Sequence, residues 1–322
     1  MRKALVVGID NYGGNHNLNS CVNDANEVAR LLARHENNEL NFDVKLETNI
    51  HGVPALRENV KRCFETECET ALFYFSGHGA INEFGGELIL ADYLKDQIGF
   101  SMNDIIAVIS TSKAQNKVVI LDCCHSGYAG SMPTSGTTAT IENGVTILTA
   151  SKSNETALSG NPYSLFTSLL VEALRGGAAD IMGHITLGGI YSYIDKSLGS
   201  WGQRPLFKTN VSSFMSIREV APPIDPNIIR ALPIYFKNYY DILALDPSFE
   251  PTNTESFEHE VLPPFADEKN VKVFDDLQML ESVGLVVPHD EKHMYYAAMK
   301  SKGCKLTLLG QHYWNLVKNN KI

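Results

Sequence analysis

The sequence predicts an α/β fold in which a parallel or mostly parallel sheet is covered by helices on both faces. Two observations lead to this prediction. Short, continuous apolar runs recur along the first two thirds of the chain, and helical apolar patterns separate them. Strands that are buried on both faces give such uninterrupted runs. Regular alternation of strands and helices is typical of layered α/β domains.

The elements follow in order along the chain. Strands are predicted at 3–9, 42–46, 71–75, 118–121 and 145–150, with a small hairpin strand at 87–90 and an edge strand at 205–208. Helices are predicted after Ser20 up to about 35, from Pro54, at 101–110, at 162–174 and at 190–198, because apolar residues recur there at three- and four-residue spacing. Ser20 and Ser101 are the predicted N-caps.

Composition and charge restrict the class of protein. The chain has 322 residues, 44% of them hydrophobic and 20% charged, and a formal net charge of −10. The negative balance argues against general nucleic-acid binding, which requires clustered Lys and Arg. No apolar run reaches the ~18 residues of a spanning helix, and six cysteines are too few for a disulfide scaffold. We therefore expect a cytoplasmic protein without a membrane partner.

A proline cluster at Pro222, Pro223 and Pro226 predicts a domain boundary, since prolines interrupt both kinds of regular structure. The predicted parts are a first domain at 1–215, a Pro-rich linker at 216–230 and a module at 231–322. The module reads as a helix with Val273, Leu277, Leu280 and Val283 on one face, a strand at 285–287, a polar hairpin-like excursion at 289–303, a second strand and a last helix. This order is winged-helix-like.

The charge balance of the module bears on whether it binds a protein or DNA. Residues 221–322 contain ten Lys or Arg against fourteen Asp or Glu. This balance favours a regulatory protein partner or autoinhibition over DNA. Lys300, Lys302 and Lys305 keep a small basic wing open as the alternative, although such a run is usually a solvated face.

Chemically active residues follow two of the predicted strands. Ser76, Gly77, His78 and Gly79 come after the strand at 71–75, and DCCHSG at 122–127 follows the strand at 118–121. The carboxyl ends of strands are where ligands bind in open α/β sheets. A lone His or Cys in such a place is usually structural, but an imidazole beside a thiol promotes thiolate formation. The pair predicts a nucleophilic cysteine site.

These blocks resemble a known family. FSGHG at 75–79 and LDCCHSG at 121–127 are similar to the caspase-like clan of cysteine peptidases, closest to the metacaspases and bacterial orthocaspases of peptidase family C14. The resemblance continues through VVGIDNY, CVNDA at 21–25, ILTASKSNETA at 147–157, FTSLLVEAL at 166–174 and QRP at 203–205, and covers roughly residues 1–212. It implies a three-layer sandwich with a six-stranded, mostly parallel sheet.

The resemblance also implies roles for residues. His78 matches the general acid/base and Cys124 the nucleophile. Apart from the resemblance, the backbone amide of a residue near the cysteine, together with that of Gly79, is a candidate oxyanion donor. Cys123 stands at a variable position of the motif. Because successive strand-end side chains point to opposite sides, Cys123 and Cys124 should not both reach His78. A zinc site of His78, Cys123, Cys124 and His125 is disfavoured for the same reason.

A specificity pocket is implied in the same way. The family builds an acidic pocket for the residue before the scissile bond, and the matching positions here are Cys21, Asp24, Ser76 and Asp122. Two carboxylates would select Arg or Lys, most strongly an Arg held by two parallel hydrogen bonds. The expected substrate is a protein or peptide that is cut after Arg or Lys.

Two departures from the family matter. Many metacaspases bind calcium through clustered aspartates, but here Asp92 and Asp96 are the only nearby candidates in the sequence. We therefore predict no cofactor or metal, and leave calcium dependence open. No Arg or Lys lies between Cys124 and Lys152, so the enzyme could not cut its own loop at 128–143. We expect activity as a single chain.

The sequence leaves two rival functions open. One is a catalytically silent caspase-like scaffold; the other is a DNA-linked regulator that works through the winged helix. A role in bacterial defence or cell death follows from family analogy alone.

Overall fold

Six strands form the central sheet of the first of two compact units, Met1–Ala221, in this computed structural model, which describes residues 1–82, 85–92, 99–123, 141–150, 162–198, 204–255 and 261–322. The strands of this unit are β1 (Arg2–Gly8), β2 (Phe42–Thr48), β3 (Thr70–Ser76), β4 (Gly79–Asn82), β5 (Gly85–Leu88), β6 (Phe100–Ser101), β7 (Asn116–Asp122), β8 (Val145–Thr149), β9 (His184–Thr186), β10 (Leu206–Asn210) and β11 (Ser216–Glu219). The central order is β10-β8-β7-β3-β1-β2. Only β10 among them is antiparallel to its neighbour.

The register aligns the carboxyl ends of the middle strands. Ser76 at the end of β3 lies opposite Gly8 on one side and Asp122 on the other. The amide of Gly77 extends the pairing by donating to the carbonyl of Asp122 at 3.2 Å. Residues that follow β1, β3 and β7 are therefore brought to one edge of the sheet.

Helices cover both faces of the sheet. They are α1 (Cys21–Ala33), α2 (Val53–Phe64), α3 (Met102–Ser110), α4 (Leu165–Glu172) and α5 (Leu187–Leu198), and a π-helical turn, Ala173–Gly177, continues α4. One core joins α1, α4 and α5 to side chains such as Tyr74 and Ile120. The other joins α2 and α3 to Phe73, Phe75 and Leu121. The predicted α/β fold with a six-stranded, mostly parallel sheet is confirmed.

Two small sheets flank the main one. The strands β4, β5 and β6 form an antiparallel sheet beside the end of β3, and β11 pairs with β9. The predicted linker, 216–230, therefore contains a paired strand of the first unit as well as residues of the second, which starts at Pro222.

The second unit, Pro222–Ile322, combines helices with a three-stranded antiparallel sheet. Its elements are α6 (Pro226–Arg230), α7 (Leu232–Tyr235), β12 (Ile242–Ala244), α8 (Glu268–Ser282), β13 (Val286–His289), α9 (Met294–Met299), β14 (Gly303–Leu306) and α10 (Leu308–Lys318). The strand order is β12-β14-β13.

The polar hairpin-like excursion predicted at 289–303 is wrong. These residues contain α9, whose Met294, Ala297, Ala298 and Met299 are buried. Apolar residues three and four positions apart make one face of a helix. This apolar stretch is short and has polar residues on both sides, so the sequence pattern did not identify the helix. The winged-helix assignment stays a prediction.

No helix in the described part of the chain is both long enough and apolar enough to cross a membrane.

Candidate active site

His78 stands two residues beyond β3, between Gly77 and the start of β4 at Gly79. Its carbonyl accepts a hydrogen bond from the amide of Ile89 at 3.0 Å, which ties the turn to the chain after β5. The imidazole is half-buried and contacts the segment that follows β1. The histidine is thus held by two separate pieces of chain, one after β1 and one after β5, at the carboxyl edge of the sheet.

The imidazole has a defined hydrogen-bond partner. Nε2 of His78 lies 2.8 Å from the backbone carbonyl of His16, in the short 3-10 helix Gly14–His16. A carbonyl oxygen only accepts, so Nε2 must carry the hydrogen. In a neutral imidazole the basic nitrogen is then Nδ1. The contact selects the tautomer in which Nδ1 can take a proton.

The two adjacent cysteines are only partly covered by the structure. Cys123 is buried in the core between the sheet and α2 and α3, on the same side as Leu121 and Phe75. Asp122, one residue earlier, contacts α4 on the opposite side of the sheet. The two neighbours follow the alternation expected of a strand. Cys124 and His125 lie outside the described residues, so the assignment of Cys124 as nucleophile stays a prediction.

Two of the predicted pocket residues are in direct contact. Asp24 lies in the first turn of α1 and is fully buried, and Ser76 at the end of β3 is 1% exposed. The hydroxyl of Ser76 donates to Oδ2 of Asp24 at 2.9 Å. The other oxygen of Asp24, Oδ1, accepts the backbone amide of Ser164 at 3.0 Å.

The second carboxylate, Asp122, is linked to the first through α4. The hydroxyl of Ser164 donates to Oδ2 of Asp122, and the hydroxyl of Thr167 donates to the same oxygen at 2.7 Å. Tyr74 in turn shares a 2.6 Å hydrogen bond with the Thr167 hydroxyl. Asp24, Ser76 and Asp122 are therefore brought into one hydrogen-bonded cluster, with Ser164 as the residue that contacts both carboxylates.

Both carboxylates resist ionisation. Burial, followed by the negative charge of Asp122, raises the pKa of Asp24 to about 7, against the opposing hydrogen bonds from Ser76 and Ser164. Burial also raises the pKa of Asp122, while the hydroxyls of Ser164 and Thr167 oppose that shift. Two carboxylates that share a buried site favour a bound cation, because a cation compensates the charge that burial penalises.

Cys21, the fourth predicted pocket residue, is buried at the first position of α1. Burial raises the pKa of its thiol far above the usual range, so the thiol stays neutral. Its amide donates to Oδ1 of Asp10 at 2.9 Å. The carboxylate of Asp10 therefore caps α1, whereas the predicted cap, Ser20, occupies the N-cap position without a side-chain hydrogen bond.

A glycine allows α1 to reach this position. A Cβ on Gly8, at the end of β1, would lie 2.3 Å from the carbonyl oxygen of Cys21 and 2.6 Å from Cβ of Ala25. Only a residue without a side chain permits this approach of helix to strand. The glycine places the first turn of α1, with Asp24, against the strand ends.

The sequence reasoning missed Ser164 and Thr167. It placed the helix start at Pro162, whereas α4 begins at Leu165 with Ser164 as its N-cap. The Ser164 hydroxyl accepts from the amide of Thr167 at 3.1 Å. A serine directly before an apolar helical run is the usual N-cap signal, and it would have identified this residue.

The remaining predictions concern an oxyanion donor and metals. Gly79 opens β4 and lies opposite Leu88, and its role stays a prediction. Asp92 accepts the amide of Gly52 at 3.0 Å, and Asp96 lies outside the described residues. Within the ranges that the structure covers, no three His, Cys, Asp or Glu side chains are grouped so that they could hold a metal ion.

Comparisons with known proteins agree with the motifs. The model of the caspase-domain family, Peptidase C14, matches residues 1–204. Metacaspase-1 from Scheffersomyces stipitis is 25% identical over 206 residues, which cover 56% of this chain and 51% of that protein. Metacaspase-1 from Meyerozyma guilliermondii is 27% identical over 150 residues, which cover 41% and 37%. The chain thus spans about half the length of these relatives or less.

A solved structure, caspase-1 from Spodoptera frugiperda, also aligns with the chain. It has a TM-score of 0.49 and 12% identity, and the alignment covers 68% of this chain and 90% of that one.

Proposed function

Since this chain belongs to the caspase-domain family, Peptidase C14, we propose that it is a cysteine endopeptidase that cleaves proteins after Arg or Lys through His78 and Cys124. One observation carries the proposal. A buried carboxylate cluster lies at the ends of β3 and β7, the same two strands that lead into His78 and Cys124.

The proposed reaction uses the nitrogen that the His16 contact leaves basic. Nδ1 of His78 takes the thiol proton of Cys124, and the thiolate adds to the carbonyl carbon of the scissile bond. The C–N bond then breaks, and His78 returns the proton to the leaving amine. Water next attacks the thioester carbon and gives a proton to His78. The C–S bond breaks, and His78 returns that proton to the sulfur of Cys124, which frees the acid product and the thiol. The backbone amide of Gly79 is the proposed donor to the oxyanion.

Specificity is proposed to come from Asp24 and Asp122. A guanidinium can donate parallel hydrogen bonds to carboxylates, whereas an ammonium acts as a point charge, so Arg should be preferred to Lys. The Ser76 and Ser164 hydroxyls already donate to these carboxylates. They fix the oxygens in place before a substrate arrives.

The test is hydrolysis of fluorogenic peptides that end in Arg, Lys or Asp. We expect cleavage after Arg and Lys that is lost in Cys124→Ala. Cys123→Ala is the matched control, because its side chain lies in the core on the α2 and α3 side; it should keep at least about half of the activity if it folds. Cleavage after Asp would disprove the pocket, and activity that survives Cys124→Ala would disprove the nucleophile.

If none of the three peptides is hydrolysed and the fold is intact, the result would favour the catalytically silent scaffold. The proposed single-chain activity has a separate readout. The active protein should run as one intact chain in a denaturing gel, because the loop at 128–143 contains no Arg or Lys.

For the second unit we propose a regulatory role through a protein partner. It carries an acidic excess, and Lys300, part of the predicted basic wing, already pairs with Glu291 at 2.9 Å and lies over the ring of Tyr296. This leaves less positive charge for phosphates. Titration of labelled duplex DNA at low and moderate salt tests the alternative, since DNA binding would weaken steeply with salt.

A further inference from the structure

The segment after β1 touches His78 from two directions. The ring of Tyr12 packs against the imidazole, with ring centroids 4.5 Å apart and an interplanar angle of 55°. His16, four residues later, offers its carbonyl to Nε2 at 2.8 Å. Residues 12–17, which we call the histidine loop, thus fix both the plane and the tautomer of the ring.

The hydroxyl of Tyr12 holds the backbone around the histidine. It accepts the amide hydrogen of His78 at 2.8 Å and donates to the carbonyl of Ile89 at 3.3 Å. Burial raises the pKa of this phenol far above its usual value, so the hydroxyl keeps the proton that it donates. One oxygen therefore connects the two sides of the turn that carries His78.

Packing leaves little freedom at this contact. A Cβ on Gly77 would lie 2.4 Å from the hydroxyl oxygen of Tyr12 and 2.9 Å from Cζ of Phe75. Such distances are too short for any side chain, so a residue without Cβ is needed next to His78. The tyrosine hydroxyl therefore occupies the space that a side chain at position 77 would fill.

Asn17 closes the histidine loop. Its Oδ1 accepts the amide of Tyr12 at 2.8 Å and the amide of Gly13 at 2.7 Å. The amide of His16 donates to the carbonyl of Gly13 at 3.3 Å, which completes the turn. Tyr12 itself packs against the hydrophobic core, whereas Asn17 and His16 are exposed. The Asn17 side chain therefore supplies the hydrogen bonds that tie the exposed part of the loop to Tyr12.

We propose that Tyr12 and Asn17 are positioning residues for His78: Asn17 holds the histidine loop closed, and the closed loop fixes the ring plane through Tyr12 and the Nε2–H tautomer through the carbonyl of His16. The proposal rests on the proposed function, in which the imidazole of His78 is the general base. Opening the loop would let the imidazole rotate and exchange tautomers. Displacement of a reacting group by about 1 Å can cost as much as 100-fold in rate.

Kinetics of the full chain give the first measurement. Tyr12→Phe removes one oxygen and keeps the ring, and Asn17→Ala removes the acceptor that closes the loop. We expect kcat to fall about tenfold in each, with KM within about twofold, because orientation and not substrate binding is lost. Asn17→Asp keeps an acceptor for both amides, and should restore kcat to within about threefold of the wild type.

Two control variants match these changes in chemistry. Tyr193→Phe removes a tyrosine hydroxyl that bonds Glu172, and Asn37→Ala removes a side-chain acceptor that bonds the amide of Glu39. Both residues belong to the first unit and lie outside the site described above. Their kcat should equal that of the wild type.

Imidazole nitrogen spectra of the Cys124→Ala chain give a readout that does not require activity. His78 should show the Nε2–H form in the parent, mixed tautomers with Asn17→Ala, and the Nε2–H form again with Asn17→Asp. If Asn17→Ala does not fold, Tyr12→Phe carries the test through its kcat. Unchanged kcat in both variants, or a loss of kcat in Asn17→Ala with an unchanged tautomer, would overturn the proposal. If the wild type cleaves no peptide, the proposed function fails, and the spectra still decide the positioning.

Discussion

The backbone amide of Ser164 donates to Oδ1 of Asp24 at 3.0 Å, across 140 positions of sequence. The same serine bonds Asp122 through its hydroxyl. The N-terminus of α4 is therefore part of the carboxylate cluster, and it supplies donors to both acids. Positive helix N-termini stabilise nearby negative charge, so α4 reduces the cost of keeping two carboxylates together.

The first prediction concerns pH and substrate charge. Because the pKa of Asp24 is raised to about 7, Asp24 gains a proton as the pH falls through 7, and the proposed pocket loses negative charge. kcat/KM should then fall for a peptide with Arg before the scissile bond. It should fall less for the matching citrulline peptide, which is neutral and has nearly the same shape.

The ratio of kcat/KM for the Arg peptide to kcat/KM for the citrulline peptide cancels any pH dependence that both substrates share. We expect this ratio to fall about tenfold between pH 8.5 and 5.5, as the attraction of one buried charge is lost. A ratio that does not change with pH would show that Asp24 does not contact the substrate cation.

The second prediction concerns stability. An acid whose pKa is raised on folding adds stability below its unfolded pKa and loses it as the pH rises through the folded pKa. For Asp24 this loss falls between its ordinary value, 3.8, and about 7. Asp24→Asn mimics the neutral acid, so it should abolish cleavage after Arg and yet raise Tm at pH 8, on the order of 5 °C.

At pH 4 the same variant should match the wild type, because Asp24 is then protonated. Asp43→Asn, an exposed aspartate on β2, is the control and should change Tm by about 1 °C or less at either pH. A lower Tm for Asp24→Asn at pH 8 would mean that the ionised carboxylate stabilises the fold.

How much the sequence could predict differs between residues. The strand ends that present Ser76, Asp122 and His78 were predictable, because continuous apolar runs stop there and the motifs begin. The contact between His16 and His78 was not predictable, since every residue has a backbone carbonyl and the residue type does not show where it points. Asp10 in place of Ser20 as the cap of α1 also depends on the loop path, which residue preferences do not fix.

The third prediction tests Ser164 as a pocket residue. Ser164→Ala removes the hydroxyl that donates to Asp122 and that caps α4. It keeps the backbone amide that donates to Asp24. Loss of the cap should cost about 1 kcal/mol in the free energy of unfolding. KM for Arg peptides should rise about fivefold, because one donor that orders Asp122 is gone.

Ser164→Thr keeps the hydroxyl and should restore KM. Thr167→Val removes the other hydroxyl on Asp122 without touching the cap, so it separates the two effects. It should raise KM without the cap penalty. If Ser164→Ala lowers stability and leaves KM unchanged, Ser164 is only a helix cap.

The last prediction concerns where the first unit ends. Arg218 in β11 is 8% exposed, and its guanidinium donates to the carbonyls of Leu31 at 3.0 Å, Arg34 at 3.1 Å and Leu174 at 2.7 Å. These carbonyls lie at the end of α1 and in the π-helical turn after α4.

A fragment of residues 1–215 lacks this arginine and leaves the carbonyls unsatisfied, at about 1–3 kcal/mol each. We expect it to melt at least about 10 °C below a fragment of residues 1–221 in thermal scans, and Arg218→Met in the longer fragment to reproduce a large part of the loss. Equal Tm values for the two fragments would place the end of the first unit before β11, because the helix ends would then need no contact from that strand.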